Sequence, residues 1–417
     1  MPPRNSKFGL MIGAMLMVAS VGCQSNSYKG NGDTGLSSLL ERLKVFKRDK
    51  PEAQMALQRL NKYADSLGID TTKYSVAFNP TDPMANEDKA SEKLSKLLME
   101  LRYGDKIPGL AFHGLRKEEK VDTAWVNAQV TAESISGDAL ISQVKQSTQF
   151  EPYAQLVGHY QQLRGNTSTD TLEAIKRTLN YYRWLNRFDY DRFVVINIPA
   201  AELTIYDKSG KRLLPMEVIV GKQDTQTPVF TSHLKDIITY PYWNVPESIA
   251  TKEILPKMRR NAAFLDSQNM QVVTQAGKEV DPYSIDWAGI SADEFVKKYR
   301  FRQSTGCDNA LGVMKFNLDS PFAIYLHDTN SRELFSTTND RWRSHGCMRV
   351  QKPVELANFL MGSEKFDPGF LDRCMIDQKP RTFPLPKPFP VFIAYNLVDV
   401  DDQGKLAFHK DVYKVAK

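Results

Sequence analysis

The apolar pattern of the chain changes its period near Arg192, and this change limits which folds are possible. Before it, Leu, Val, Met and Ala recur three and four residues apart, as in PEAQMALQRLNKYADSLG and SEKLSKLLMELRYG, which is the period of amphipathic helices. After it, RFVVINIPAAELTIYDKSGKRLLPMEVIVG holds three short β-branched runs, two of them separated by the turn sequence Asp-Lys-Ser-Gly. The sequence therefore predicts an α+β protein, helical first and β-rich afterwards.

With 417 residues the chain is too long for one ordinary core, which predicts several domains. We expect a helical scaffold domain at residues 36–170, a connector helix at 171–191, a β-rich domain at 192–375 and a C-terminal extension at 376–417. The scaffold includes further helical patterns at 126–146 and 152–164. The aromatic stripe of the connector is expected to pack on the domain that follows it, and it consists of Tyr181, Tyr182 and Trp184.

A long polar stretch interrupts the β-rich region. Residues 246–300 are helical in pattern, and strand signals return at 311–326 and 347–350. Connections between elements are usually about 4 to 6 residues long, and much longer ones are often lids over functional sites. We therefore expect a helical capping insertion within the β domain.

The N-terminus has the features of an export signal. Arg4 and Lys7 precede the apolar run FGLMIGAMLMVASVG, which is shorter than the roughly 20 residues of a membrane-spanning helix. Cys23 follows directly and resembles the lipidated cysteine of a bacterial lipobox, although Ser20 stands where Leu is usual. We expect a signal peptide at 1–23, a lipid anchor at Cys23, a flexible tether at 24–35 and a location in the periplasm. Simple cleavage and retention as an uncleaved anchor are the alternatives.

Charge and cysteine usage exclude several classes of protein. The net charge of +6 is modest, and Lys and Arg form no dense stripe or tail, so nucleic acid is not an expected partner. Besides Cys23 the chain has Cys307, Cys347 and Cys374, too few for a disulfide scaffold and without the spacing of a zinc site. We expect no metal and no organic cofactor, and the sequence leaves open whether Cys307 and Cys374 pair.

The stretch RSHGCMRV, residues 343–350, concentrates reactive groups around Cys347. A cysteine nucleophile needs a base and donors that stabilise an oxyanion. His327 ends the alternating apolar strand AIYLHDT and is the candidate base, with His345 as a second imidazole nearby. Gly346 lets the backbone approach a substrate, so the amides of Gly346 and Cys347 are candidate oxyanion donors. A metal ligand or a buried small residue are the other roles open to Cys347, but Ser344 and its neighbours are costly to bury.

These residues resemble the catalytic domain of L,D-transpeptidases, the YkuD family. His327 is followed after 16 residues by Ser-His-Gly-Cys, then by Met and Arg, which is the arrangement that marks the family. The resemblance covers residues 180–370 and is closest to the larger scaffold-type, YcbB-like subfamily. It continues in order through IVGK (219–222), TPVF (227–230), PYWNVP (241–246), NALG (309–312), KF (315–316) and YLHDT (325–329).

The resemblance implies a β-sandwich catalytic domain with the helical capping insertion described above. It implies that Cys347 is the nucleophile, that His327 is the base with its other ring nitrogen held by a backbone carbonyl, and that the backbone of 345–347 forms the oxyanion hole. It makes Arg349 and Tyr325 binders of substrate carboxylate or amide groups. Further candidate substrate-binding residues are Ser344, Trp243 and Asn309.

The activity implied by the resemblance is peptidoglycan cross-linking. Cys347 would attack the third residue of a tetrapeptide stem, release D-Ala and pass the acyl group to an amine of a second stem, forming a 3-to-3 cross-link that carbapenems would block. The sequence leaves three acceptors open: the stem amine, water in a carboxypeptidase or hydrolase, and a protein lysine in a lipoprotein ligase. The separate peptidoglycan-binding module of many scaffold-type relatives is not expected here.

Overall fold

The structure is a computed structural model that describes residues 51–415, apart from residues 78, 148, 307, 338–339 and 374–377. The predicted signal peptide, Cys23 and the tether lie outside the described residues, as do residues 36–50 of the predicted scaffold domain. Cys307 and Cys374 also lie outside them, so the question of their pairing stays open. In the part of the chain that is described, no helix combines the length and the apolar character needed to cross a membrane.

The N-terminal region is helical, as predicted. Its helices are α1 (Glu52–Ser66), α2 (Pro83–Tyr103), α3 (Thr123–Thr131), α4 (Gly137–Ser147), α5 (Glu151–Leu163) and α6 (Thr169–Leu185), with 3-10 turns at Thr71–Tyr74 and Arg116–Glu118. Apolar side chains at helical spacing, such as Leu60 and Leu94, share one buried core. The pattern at 126–146 is two helices rather than one, because Ser and Gly between Thr131 and Asp138 are poor helix formers.

The strands begin in the helical region and continue through the β domain. They are β1 (Leu110–His113), β2 (Arg192–Asn197), β3 (Glu202–Asp207), β4 (Arg212–Gly221), β5 (Val229–Thr239), β6 (Trp243–Asn244), β7 (Met270–Thr274), β8 (Glu279–Val280), β9 (Tyr299–Gln303), β10 (Met314–Leu318), β11 (Leu326–His327), β12 (Trp342–Ser344), β13 (Met348–Val350), β14 (Arg381–Ala394), β15 (Val398–Val400) and β16 (Leu406–Phe408). The three runs after Arg192 are thus β2, β3 and β4. The Asp207 carboxylate closes the predicted turn by accepting hydrogen bonds from the amides of Ser209 and Lys211.

The main sheet closes on itself and encloses the core of the β domain. Its strands follow the order β5-β10-β11-β13-β4-β3-β2-β14, and β14 also pairs with β5. Side chains from opposite parts of this ring meet inside, among them Phe230, Phe316, Leu326 and Met348. β12 pairs with β4, and β1 pairs in parallel with the start of β5. The α+β fold is therefore confirmed, with the β layers joined through β14.

β1 and β14 of the sheet lie in segments for which no strand was predicted. β1 falls in the region expected to be helical, and its four residues are too few to show a period. β14 falls in the segment expected to be a C-terminal extension, so the β domain continues beyond residue 375. The prolines of RTFPLPKPFPVFIA weaken its strand signal, and a shift of register between Pro384 and Phe389 accommodates them in the ladder.

The capping insertion is a small unit with its own core. It contains α7 (Glu247–Ile249), a π-helix at Ala250–Ile254, α8 (Leu255–Met258), α9 (Phe264–Ser267), a 3-10 turn at Pro282–Ser284 and α10 (Ala292–Lys298). A four-stranded sheet in the order β6-β9-β7-β8 joins these helices, so the insertion is mixed rather than helical throughout. The strands of this sheet were not predicted, because the apolar pair Val272 and Val273 in β7 is too short a pattern within a polar segment.

The remaining elements complete the shell around the β domain. They are a 3-10 turn at Gln223–Thr225, α11 (Leu334–Thr337), α12 (Pro353–Met361) and a 3-10 turn at Pro368–Asp372. Tyr181, Tyr182 and Trp184 of α6 are buried against the sheet, with the rings of Trp184 and Phe392 in a T-shaped contact at 5.9 Å. This confirms the packing predicted for the aromatic stripe.

Candidate active site

The neighbouring strands β11 and β13 bring the reactive side chains to one face of the sheet. In the parallel pair of β11 and β13, Leu326 lies opposite Met348 and His327 lies opposite Arg349. Successive side chains of a strand point to opposite faces. Because Leu326 and Met348 are fully buried in the core, the residues that flank them, including Cys347, lie on the other face.

His327 is held in the tautomer that a base requires. Its Nδ1 lies 2.5 Å from the backbone carbonyl oxygen of Asp328, and since a carbonyl accepts, Nδ1 donates and Nε2 keeps its lone pair. Burial, together with the cations of Arg349 and Lys315, lowers the pKa of His327 to about 3, against the opposite effect of the Asp328 carbonyl. The imidazole is therefore neutral at physiological pH and able to accept a proton.

Asp328 fixes the segment that holds His327. Its carboxylate is fully buried, accepts a hydrogen bond from the amide of Val313 at 2.9 Å and forms an ion pair with Arg332. At Gly312 a Cβ would lie 2.2 Å from the Asp328 Oδ2, so only glycine fits there. Asp328 and Gly312 lie in the motifs YLHDT and NALG, but no role was predicted for either residue.

The thiol of Cys347 is half-buried beside Tyr325. Sγ lies 3.6 Å from the carbonyl oxygen of Ala323, and the amide and the hydroxyl of Tyr325 are near enough to act on it. Burial raises the pKa of the Cys347 thiol, while the two Tyr325 donors and the Lys315 cation act in the opposite direction. With His327 neutral, the resting site holds a neutral thiol and a neutral imidazole.

The turn before Cys347 is closed by Ser344. Gly346 has a φ of 113°, which favours glycine, and its amide donates to Ser344 Oγ at 3.1 Å. Ser344 Oγ in turn donates to the Cys347 carbonyl at 2.6 Å. The buried Ser344, a predicted substrate-binding residue, thus orients the turn, and the Gly346 amide, a candidate oxyanion donor, is engaged by Ser344. The amide of Cys347 makes no hydrogen bond to the described residues and is left to stabilise an oxyanion.

A second layer of hydrogen bonds holds this turn from behind. Thr227 Oγ1 donates to the Gly346 carbonyl at 2.8 Å and accepts from the Gly221 amide at 3.0 Å. The Tyr413 hydroxyl donates to the Gly221 carbonyl at 2.6 Å and accepts from the Thr227 amide at 3.1 Å. Neither Thr227 nor Tyr413 was predicted to support the turn, because their contacts with it join distant parts of the chain.

His345 points to the capping insertion. Its Nε2 lies 2.7 Å from Glu253 Oε1 in the π-helix, and both side chains are exposed. Within the described residues it makes no hydrogen bond to Cys347. The structure therefore places His345 in a contact between the turn of Cys347 and the insertion, while a catalytic role for this second imidazole stays a prediction.

The predicted substrate-binding residues divide into two groups. Arg349 is half-buried, hydrogen-bonds Thr329 at 3.5 Å and has no carboxylate within ion-pair distance among the described residues, so its charge is available to an anion. Trp243 acts on the Tyr325 hydroxyl, as Cys347 does, and so lies on the same side of the site. Asn309, in contrast, is fully buried.

Asn309, a predicted substrate-binding residue, makes its hydrogen bonds within the fold. Its Nδ2 donates to the carbonyls of Pro241 and Ser304, both at 2.9 Å, and its Oδ1 accepts from the Leu311 amide at 2.8 Å. These bonds satisfy the side chain without a ligand. Asn309 thus connects the segment before Trp243 to the segment before β10.

The family of the β domain follows from residues 191–385, which match the family model described as YkuD, L,D-transpeptidase catalytic domain. The chain carries a catalytic domain of the YkuD family. The predicted family is thereby confirmed, and the match covers His327, Cys347 and the first five residues of β14.

Similar proteins are known by sequence and by structure. A Haemophilus influenzae protein named "Putative L,D-transpeptidase" is 34% identical over 247 residues, which are 59% of this chain and 49% of that protein. The aligned part thus spans about half the length of this relative. An L,D-transpeptidase from Mycobacterium smegmatis is 12% identical, over 50% of this chain and 60% of that chain, with a TM-score of 0.21. The NMR structure of the E. faecium L,D-transpeptidase catalytic domain acylated by ertapenem is 12% identical, over 50% and 99%, with a TM-score of 0.23. The YkuD assignment depends on the family model and not on these structures.

The neutral state of the YkuD site predicts how the thiol titrates. We expect the rate of Cys347 alkylation by iodoacetamide to keep rising with pH beyond about 8.5, the ordinary pKa of cysteine, because burial raises the pKa of the thiol. His327, with its pKa at about 3, does not ionise in the range of the measurement. The rate is read by mass spectrometry on the peptide that contains Cys347, between about pH 5 and 10. A rate already constant from pH 5 to 8 would reveal a preformed thiolate and imidazolium pair and contradict this account.

Proposed function

We propose that the protein is an exported L,D-transpeptidase that forms 3-to-3 cross-links between peptidoglycan stems. The observation that carries the proposal is the neutral His327, whose Nδ1 is hydrogen-bonded to a backbone carbonyl. His327 lies on β11, which pairs with β13, the strand that directly follows Cys347. This is the pairing of nucleophile and base that acyl transfer by a cysteine requires.

The first half of the proposed reaction forms a thioester. His327 Nε2 takes the thiol proton as Sγ attacks the carbonyl carbon of the third stem residue, and the Cys347 amide donates to the resulting oxyanion. As the tetrahedral intermediate collapses, the peptide bond to D-Ala breaks. The imidazolium returns its proton to the leaving amine, so D-Ala departs with a neutral amino group and the site is left uncharged.

The second half transfers the acyl group. A side-chain amine of a second stem attacks the thioester carbonyl and gives its proton to His327 Nε2. The carbon-sulfur bond then breaks, and the proton returns to Sγ to restore the thiol. Arg349 is suited to hold a stem carboxylate in bidentate fashion, because its guanidinium has no carboxylate partner among the described residues.

The products of purified substrate distinguish the possible acceptors. We expect the chain without residues 1–24, incubated with disaccharide tetrapeptides, to give dimers that have lost one D-Ala, as measured by mass spectrometry. Cys347→Ala should give no product, while Ser336→Ala, a change in an exposed helix, should leave the yield unchanged. Tripeptide without dimer would replace transpeptidation by hydrolysis. Tripeptide attached to the lysine of an added lipoprotein would indicate a ligase.

The location is a separate part of the proposal. We propose that the chain is anchored in the cell envelope by lipidation of Cys23, on the basis of the sequence that precedes this residue. Bacteria that express the full chain should incorporate labelled palmitate into it, and Cys23→Ala should abolish the label. An unlabelled wild-type chain would refute the anchor and leave the cross-linking activity to be judged by its own assay.

A further inference from the structure

Lys315 has no role in the mechanism above, yet it lies on the face that carries the thiol. On β10 it is opposite His327 in the antiparallel pair with β11, while its neighbour Phe316 is opposite Leu326 and fully buried in the core. The alternation of β10 therefore turns Lys315 to the same side as His327. Through the β11 and β13 pair, this is also the side of Cys347.

The ammonium group of Lys315 lies over an aromatic ring and not beside a carboxylate. Its Nζ is 4.1 Å from the centroid of the ring of Tyr325, and the amide and hydroxyl of Tyr325 act to lower the pKa of the Cys347 thiol. No carboxylate of the described residues lies within ion-pair distance of Lys315. Asp236 is the nearest candidate on β5, but its carboxylate accepts a hydrogen bond from Asn317 at 2.7 Å.

A half-buried cation without a counter-ion is costly unless the protein uses its charge. The charged groups that face Lys315 are the Cys347 thiol from the turn before β13, His327 on β11 and Asp236 on β5, with Arg349 of β13 acting on His327 from the other side. Burial lowers the pKa of Lys315, whereas Cys347 and Asp236 act to raise it. A negative sulfur is therefore the partner that the site would supply during the reaction.

We propose that Lys315 is the electrostatic partner of the Cys347 thiolate. This inference concerns the nucleophile of the proposed function and rests on it. When the thiol gives its proton to His327, the negative charge forms on the face of the sheet that carries the Lys315 ammonium, which lies over the Tyr325 ring. Opposite charges attract more strongly in such partly buried surroundings than in water. Lys315 is a positioning residue in this role, since it acts through the charge of the nucleophile.

The same charge acts on the second proton transfer. Lys315 and Arg349 both make the imidazolium of His327 a stronger acid, so the proton moves on readily to the leaving amine. Once the thioester has formed, the sulfur is neutral and Lys315 has lost its partner. The ammonium of Lys315 thus stabilises the thiolate of Cys347 and destabilises the imidazolium of His327.

The test measures the titration of Cys347 in variants of the full chain. We expect Lys315→Met and Lys315→Gln to raise the pKa of the thiol by about one unit, so that the alkylation rate by iodoacetamide near pH 7 falls about tenfold. Lys315→Arg, which keeps the charge, should stay within about threefold of the wild-type rate. The matched control is Lys235→Met on β5, where the lysine is exposed and paired with Asp319, and its rate should not change.

Two outcomes would overturn the inference. One is a titration curve of Lys315→Gln that equals the wild-type curve. The glutamine keeps a polar head group, so this variant can be measured even if Lys315→Met is too unstable. The other is a loss in Lys315→Arg as large as that in Lys315→Met, since packing and not charge would then matter. The alkylation needs no peptidoglycan, so a failure of the cross-linking assay leaves this result unaffected, and the reverse also holds.

Discussion

The pairing of β11 with β13 is the constraint on which the site depends. Leu326 and Met348 face each other in this short parallel pair and are fully buried in the core. A slip of one residue in either strand would move these side chains out of the core and turn His327 or Cys347 into it. The free energy of core packing therefore fixes which face carries the thiol and its base. The catalytic geometry is a consequence of a hydrophobic register and not of direct bonding between the two reactive groups.

Electrostatics then sets the charge state of the pair. Burial favours the neutral form of both groups, and the cations of Lys315 and Arg349 oppose protonation of His327. The site thus differs from cysteine enzymes that rest as thiolate and imidazolium. A neutral resting thiol needs a stabilising charge only when it gives up its proton during the reaction. In that thiolate state the unpaired ammonium of Lys315 has most effect.

The candidate reactive residues stand out in the sequence because their signals are local, whereas the residues that support them do not. Cys347 and His327 lie in short polar motifs at strand ends, and the change of period at Arg192 predicted the order of helices and strands. Thr227 acts on Gly346 across 119 positions of the chain, and Tyr413 acts on Gly221 across 192, so no window of sequence contains either contact. The prolines of β14 likewise weaken the strand signal of a segment that the fold pairs on both sides. The hydrogen bond of Asn309 to the Pro241 carbonyl spans 68 positions and is equally invisible in the sequence.

The most direct test of the central claim is the mass of the enzyme during turnover. Intact-protein mass spectrometry of the chain mixed with disaccharide tetrapeptide and quenched in acid should show an adduct equal to the substrate minus D-Ala. Proteolysis should place this adduct on the peptide that contains Cys347, and Cys347→Ala should not form it. Product formation without an adduct, or an adduct on another residue, would contradict the assignment of Cys347 as the nucleophile.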